Sequence, residues 1–331
     1  GPSQPGTESE TVSQPLRLNC MGKKAQRLGS AAGLSVLMIF ALGSPGVARA
    51  RAAAVDAPGQ HAKVELISAK NAVAPGEHTM IGLHFVLEPG WHIYWQNPGD
   101  SGEPPRVQWK LPAGFHAGEI EWPVPQRLGS GTVVDFGYSG EVLLPIPLVI
   151  PANAAAGTQQ NLAATAKWLV CREICIPDHA ELGLTMNIVA RPVNAGAKLP
   201  FGAAELSQSA TGTLFTRFKK LIPVATPSYW RVRAVSEGGD IILSVETGQP
   251  EEHAAFYPFL PDPLENSAPQ TATRLAKGVQ LKLHKSDQAL KPVAMLKGVL
   301  VLGDPQDSGA GSGSNGSAYR IAVPVQQASK R

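Results

Sequence analysis

The chain has 331 residues, with 29 basic and 26 acidic side chains and a formal net charge of +3. Residues 1–50 carry five of the basic and two of the acidic groups, so the remaining 281 residues balance at 24 of each, which leaves no electrostatic footprint for nucleic acid or an anionic membrane. With 34 glycines, 29 prolines and little helix-period patterning, the composition favours many short strands joined by turns, and the length suggests two domains.

Residues 1–20 contain no apolar run and are set aside as an over-extended start, Cys20 with them. Residues 21–27 are basic, residues 31–42 are apolar, and Ala48-Arg49-Ala50 has the small-x-small pattern of a cleavage site. A secretory signal over 21–50, cleaved near Ala50, is the expectation; the alternative is a retained membrane anchor, for which the apolar run falls short of the roughly 20 residues that span a bilayer. An exported chain from a Gram-negative source would reside in the periplasm, where disulfides form.

A first strand is expected over 62–70, and Pro75-Gly76 marks a turn. Ile81, Leu83, Phe85 and Leu87 then alternate as one buried strand face. Trp91-His92-Ile93-Tyr94-Trp95 is rich in β-favouring aromatics and runs into a turn-rich loop over 97–105. Short strands follow around Val107, Trp109 and Leu111, and over 120–124. Residues 133–138 lead into an alternating run from Val142 to Ile150. Its Pro145 and Pro147 remove two ladder donors and so predict an edge strand. Leu162, Ala164, Ala166, Trp168 and Val170 alternate into a cysteine-bearing segment, and Leu182, Leu184, Met186 and Ile188 alternate out of it. That pattern predicts a β-hairpin with Cys171 and Cys175 at its tip.

Residues 191–215, rich in Ala, Gly and Ser, read as a linker with a helical turn near 203–207. Further strands are expected over 229–235, 240–246, 254–259, 279–284, 293–302 and 319–325, with a flexible Gly/Ser loop over 307–317. The fold class is therefore all-β. A β-sandwich over 51–190 is followed, after the 191–215 linker, by a second, smaller β-sandwich-like domain over 216–331.

Three chemistries suit the pair Cys171 and Cys175. As a structural bridge it gains little, because a loop of about five residues yields on the order of 2 kcal/mol against roughly 4–5 for a long loop. As a redox-active dithiol it has the closeness that resolves a mixed disulfide, with Arg172 favouring and Glu173 opposing a thiolate. As a soft-metal site, Cys171, Cys175 and His179 form a C-x3-C-x3-H set that could hold copper(I), whereas a four-ligand zinc site lacks partners. Elsewhere the signals are plain. His84, His92 and His116 read as structural histidines, Glu119 and Glu121 as a solvent face, and Trp91, Tyr94, Trp95 and Trp109 as packing. Nucleophile-elbow, phosphate-loop and zinc-protease motifs are missing from the sequence.

Four segments in order carry a family resemblance. They are residues 90–102, Gly-Trp-His-Ile-Tyr-Trp-Gln-Asn-Pro-Gly-Asp-Ser-Gly; residues 121–125, Glu-Trp-Pro-Val-Pro; residues 136–145, Phe-Gly-Tyr-Ser-Gly-Glu-Val-Leu-Leu-Pro; and residues 168–177, Trp-Leu-Val-Cys-Arg-Glu-Ile-Cys-Ile-Pro. Together they resemble the N-terminal periplasmic domain of the thiol:disulfide interchange protein DsbD, in the branch that includes the copper-sensitivity suppressor ScsB.

The resemblance spans about residues 60–190 and continues more weakly through Phe256-Tyr257-Pro258, Ala268-Pro269 and Leu296-Lys297-Gly298-Val299-Leu300-Val301. It implies an immunoglobulin-like sandwich whose Cys171 and Cys175 cycle between dithiol and disulfide, with Cys175 forming the mixed disulfide. It also implies a cap segment of Asp135, Phe136, Gly137 and Tyr138, with Phe136 or Tyr138 shielding the sulfurs. The protein would be the protein-disulfide-reductase-type component of a relay, needing no cofactor beyond its redox-active disulfide. The implied partners are a thioredoxin-like electron donor, a membrane-embedded DsbD-type reductase, and a periplasmic disulfide isomerase or cytochrome c maturation protein. Better-known members space their cysteines more widely. The present sequence includes no membrane helices or thioredoxin-like domain after the second β-rich region, so a stand-alone version, a fragment or a split-gene product served by another polypeptide is expected.

Overall fold

The computed structural model describes residues 61–129, 131–190, 210–261, 263–287, 291–303 and 317–328. The leader, the expected signal segment, the expected helical turn at 203–207 and nearly all of the Gly/Ser loop lie outside these residues.

The N-terminal part contains β1 (Ala62–Ser68), β2 (Ala72–Val73), β3 (His78–Leu87), β4 (His92–Gly99), β5 (Arg106–Lys110), β6 (His116–Ala117), β7 (Gln126–Leu128), β8 (Asp135–Ser139), β9 (Glu141–Val149), β10 (Gln159–Cys171) and β11 (Cys175–Ile188). They form two sheets. One has the order β1-β3-β9-β6; the other has the order β2-β11-β10-β4-β8-β7, with β5 also paired to β10. Their facing sides supply one core, to which β1, β3 and β9 bring Val64, Leu83, Phe85 and Leu144 while β4, β10 and β11 bring Ile93, Trp95, Trp168, Val170 and Leu182. This is an immunoglobulin-like β-sandwich, in which period-two alternation sends every second residue inward.

The helix α1 (Ala210–Lys219) follows, then β12 (Val224–Ala225), β13 (Arg231–Glu237), β14 (Asp240–Glu246), β15 (Ala254–Pro258), β16 (Thr271–Leu275), β17 (Gly278–His284), β18 (Met295–Leu302) and β19 (Ser317–Gln327). These strands form one sheet of order β15-β18-β19-β13-β14-β17-β16, with β12 beside β19. Strand β19 pairs antiparallel with β18 over Ser317–Pro324 and then parallel with β13 from Val325. It thereby hands the sheet from one layer to the other around a core of Ile241, Leu243, Leu281, Leu300 and Ile321. Among the described residues no helix is long and apolar enough to cross a membrane.

Four expectations change. Strand β9 is not an edge: β6 pairs with it at His116 and Ala117, and Gly118 and Glu121 donate to the carbonyls of Pro147 and Pro145. Both prolines point their nitrogens to that same outer side, where no ladder with β3 needs them, so a neighbour can still dock by donating alone. Residues 120–124 form no strand, because Pro123 and Pro125 lack donors; the segment is held instead by the Glu121 contact and by Val124 donating to the Leu221 carbonyl at 2.8 Å. The end of the expected linker, residues 210–215, belongs to α1, which buries Phe215 and Phe218 against the first core. Strand β16 was not foreseen because Thr-Ala-Thr-Arg-Leu, largely exposed, shows no apolar alternation.

Candidate functional site

Strands β10 and β11 pair without slippage from Gln159↔Asn187 to Cys171↔Cys175. Trp168, Val170, Ala180 and Leu182 face the core, so parity turns Cys171 and Cys175 toward the sheet's outer face. The two cysteines form a disulfide across the last pair of the ladder, with Cα atoms 4.2 Å apart. Three residues, Arg172, Glu173 and Ile174, close the tip, with Arg172 N–H donating to the Ile174 carbonyl at 3.1 Å. The sulfur-bearing residues are unequal: Cys171 is buried, and Cys175 is exposed. The tip is braced from the side, where the Arg172 guanidinium lies 5.1 Å from the Trp91 ring centre and His61 stacks on that ring at 3.7 Å.

Strand β4 meets β10 at one point, His92↔Cys171, and meets β8 at His92↔Ser139, Ile93↔Tyr138 and Tyr94↔Gly137. Trp91, Ile93 and Trp95 point into the core. His92 and Tyr94 therefore share the outer face with the disulfide. The Tyr94 hydroxyl lies 3.3 Å from Cys175 Sγ and 3.3 Å from Ser101 Oγ. Ser101 donates its backbone N–H and its hydroxyl to the Asp135 carboxylate at 3.0 Å, so its oxygen has only lone pairs left for Tyr94. A bulge in β4 between Tyr94 and Gly99 frees the chain to fold back over this face. There Gly102, at φ +76°, rests on the Tyr94 ring so closely that a Cβ would lie 2.1 Å from Cζ. A residue with a side chain cannot occupy that position without displacing the loop.

Burial raises the Tyr94 pKa above its ordinary value; the nearby Asp135 charge acts the same way and the Ser101 hydrogen bond opposes it. The phenol is therefore a donor at neutral pH. Burial lowers the His92 pKa, against the pull of Asp135, whose carboxylate is 4.0 Å from Nε2. That Nε2 is buried with no hydrogen-bond partner, and it belongs to the residue directly across the ladder from Cys171.

Of the residues singled out in the sequence, Cys171, Cys175 and Asp135 converge here. Phe136 and Tyr138 do not shield the sulfurs. They alternate with Asp135 and Gly137 along β8, so both rings project to the opposite, inner face. Phe136 packs against Trp95 and Tyr257, and the Tyr138 hydroxyl donates to the Pro123 carbonyl at 2.7 Å. His179 is also apart: it sits four residues along β11 from Cys175, roughly 13 Å at the rise of an extended strand, so the copper(I) set of Cys171, Cys175 and His179 is not assembled. Among the described residues no three His, Cys, Asp or Glu side chains group to hold a metal ion. The residues that sequence reasoning passed over are Tyr94, His92 and Ser101. The readable signal was parity, because in Trp-His-Ile-Tyr-Trp the apolar Trp91, Ile93 and Trp95 claim one face and leave His92 and Tyr94 together on the other.

Residues 63–187 match the family model described as thiol:disulfide interchange protein DsbD, N-terminal. The N-terminal periplasmic domain of ScsB from Proteus mirabilis is similar in fold, with a TM-score of 0.55 at 18% identity over 82% of this chain and 97% of that one. The GAE domain of yeast GGA1 has a TM-score of 0.25 at 10% identity, over 40% of this chain and 98% of that one, and bears no weight here. No curated protein matches the chain.

Proposed function

We propose, for a chain whose residues 63–187 form a domain of the DsbD N-terminal family, that Cys171 and Cys175 are a dithiol–disulfide couple that takes an electron pair from one thiol protein and passes it to another. The observation that carries this reading is the asymmetry of the bridge: an exposed Cys175 whose sulfur lies against a phenol, bonded to a buried Cys171. Exchange needs one sulfur that a partner can reach and a second one held close to resolve the intermediate.

In the accepting direction, a donor thiolate attacks Cys175 Sγ. The Cys171–Cys175 bond breaks as the intermolecular S–S bond forms, and Cys171 leaves as a thiolate. The donor's second thiolate then attacks the donor sulfur of that bond, releasing Cys175 as a thiolate and leaving the donor oxidised. Two protons complete the dithiol. Delivery to the next protein is the reverse sequence. Tyr94 stays protonated and donates to the negative charge that develops on Cys175. His92, paired across the ladder with Cys171, shares its outer face and carries a ring nitrogen that makes no hydrogen bond. In this reading the chain works in the periplasm between a thioredoxin-like donor fed by a membrane-embedded DsbD-type reductase and acceptors such as a disulfide isomerase or a cytochrome c maturation protein.

Trapping tests the reading. Cys171→Ser removes the resolving sulfur and is expected to accumulate mixed disulfides through Cys175, visible as reducible higher-mass bands, while Cys175→Ser gives far fewer. Equal trapping by both variants, or by neither, would remove the assigned roles.

A further inference from the structure

The loop that covers Tyr94 is anchored on two sides. Toward the sandwich, Asp100 N–H donates to the Val134 carbonyl at 3.0 Å, Val134 N–H donates to Asp100 Oδ2 at 2.7 Å, and Ser101 binds Asp135. Toward the C-terminal module the anchors are as definite. Asn97 is fully buried and donates Nδ2 to the carbonyls of Pro258 at 2.8 Å and Leu260 at 3.1 Å, while its Oδ1 accepts from Gly99 N–H at 3.1 Å. Asn266 donates Nδ2 to Asp100 Oδ1 at 2.8 Å, and its own carbonyl accepts from the Arg127 guanidinium. Behind these contacts Trp95, Phe136, Tyr257 and Phe259 form a continuous aromatic cluster shared by both modules. Asn97 thus turns both donors of a buried amide to the other module, an arrangement whose loss leaves buried groups unsatisfied.

We infer that the C-terminal module is a working part of the exchange site, with Asn97 and Asn266 as positioning residues that hold the loop through Ser101 and thereby set the Tyr94 hydroxyl against Cys175. The route is short. Asn266 fixes Asp100, the next residue is Ser101, and Ser101 Oγ is the alternative partner of the Tyr94 hydroxyl 3.3 Å from the sulfur. In the oxidised state the disulfide sulfur is a weak acceptor and Tyr94 donates to Ser101. Once Cys175 is a thiolate it becomes the stronger acceptor, and the hydroxyl turns to it without moving the ring. The effect depends on the ring being held at hydrogen-bond distance, which is the job of the loop and so of the module that pins it. The inference rests on reading Cys171–Cys175 as an exchanging pair, and it gives the second module a role in that exchange.

The test reads the acidity of the Cys175 thiol, a quantity that a merely structural role does not move. In the full chain carrying Cys20→Ser and Cys171→Ser, Cys175 is the single thiol, and its alkylation by iodoacetamide is followed against pH. Tyr94→Phe sets the benchmark: its alkylation midpoint rises, and the rate at pH 7 falls at least about fivefold, as loss of a hydrogen bond to a charged group implies. Asn266→Ala and Asn97→Ala are expected to shift the midpoint in the same direction, and Asn266→Ala is expected to add nothing in the Tyr94→Phe background. Leu281→Ala, in the separate core of the C-terminal module, weakens that module without touching the loop and leaves the midpoint in place. Should the buried Asn97 variant fail to fold, Asn266→Ala carries the test, with faster hydrogen exchange at the Ser101 amide as its second readout. A shift in Tyr94→Phe with none in Asn266→Ala would overturn the inference, as would an equal shift in Leu281→Ala. If Tyr94→Phe itself shows no shift while Cys171→Ser still traps partners, the exchange reading stands and the positioning role falls.

Discussion

His92 shows how much one residue's surroundings decide. Its side chain is half-buried on the outer face beside Asp135, with a buried Nε2 that makes no hydrogen bond, and burial lowers its pKa. A histidine whose folded pKa lies below the unfolded 6.5 binds fewer protons in the native state than in the denatured one over the range between the two values. Native stability then falls as pH drops from about 6.5 through the folded pKa, and is unaffected by this group well above 6.5. His92→Phe keeps a ring edge against Tyr94 and removes the titration. The expected outcome is a shallower loss of urea midpoint between pH 7.5 and pH 5.5 than in the parent protein. Parallel pH profiles in the two proteins would show that His92 takes no part. Tyr94 was visible in the sequence only as an aromatic, because the neighbours that give it chemistry lie at Ser101, Asp135 and Cys175.

The element that matters is the β10–β11 hairpin. Thirteen consecutive cross-strand pairs fix its register, so the cysteines meet without any need of the covalent bond to bring them together. The bridge closes only a five-residue loop, and the chain-entropy account assigns it about 2 kcal/mol. Reduction is therefore expected to lower the denaturation free energy by about that amount, measured as the change in urea midpoint with and without dithiothreitol. Unfolding of the reduced protein would instead identify a structural staple. The hairpin was legible in advance from Leu162-to-Val170 and Leu182-to-Ile188 alternation. The loop over it was not: a bulge in β4 re-aims residues 99–104, and nothing in local propensity says which surface such a loop will land on.

At the scale of the whole molecule, the two β modules are not independent beads. Phe215 and Phe218 of α1, Tyr257 of β15, and Val299 and Val301 of β18 belong to the core that the sandwich builds. The Tyr257 phenol, pushed up to about 12 by burial, is sealed between them. Cutting Phe136 to alanine removes the ring that touches both Trp95 and Tyr257. It is expected to cost about 3–5 kcal/mol and to split one cooperative calorimetric transition into two. A loss below about 1 kcal/mol with a single transition retained would mean that the aromatic cluster does not couple the modules. Sequence composition divided the chain at a linker; across that boundary the Pro258 and Leu260 carbonyls and the Asn266 side-chain amide hydrogen-bond to the loop beside the disulfide.

Period-two patterning is local. Residues i and i+2 share a face whatever the rest of the chain does, so the all-β class, the hairpin and the closeness of Cys171 to Cys175 could be read from the sequence alone. The four ordered motifs carried the family resemblance for the same reason, since they are strings of adjacent residues. What required the folded molecule was everything set by residues far apart in the chain: that Phe136 faces inward and Tyr94 lies against Cys175, that His179 is carried away along β11, and that Asn266 holds Asp100. Those contacts bridge separations of up to 166 residues, and their geometry follows from which sheet packs on which, a choice made by the burial of the whole core.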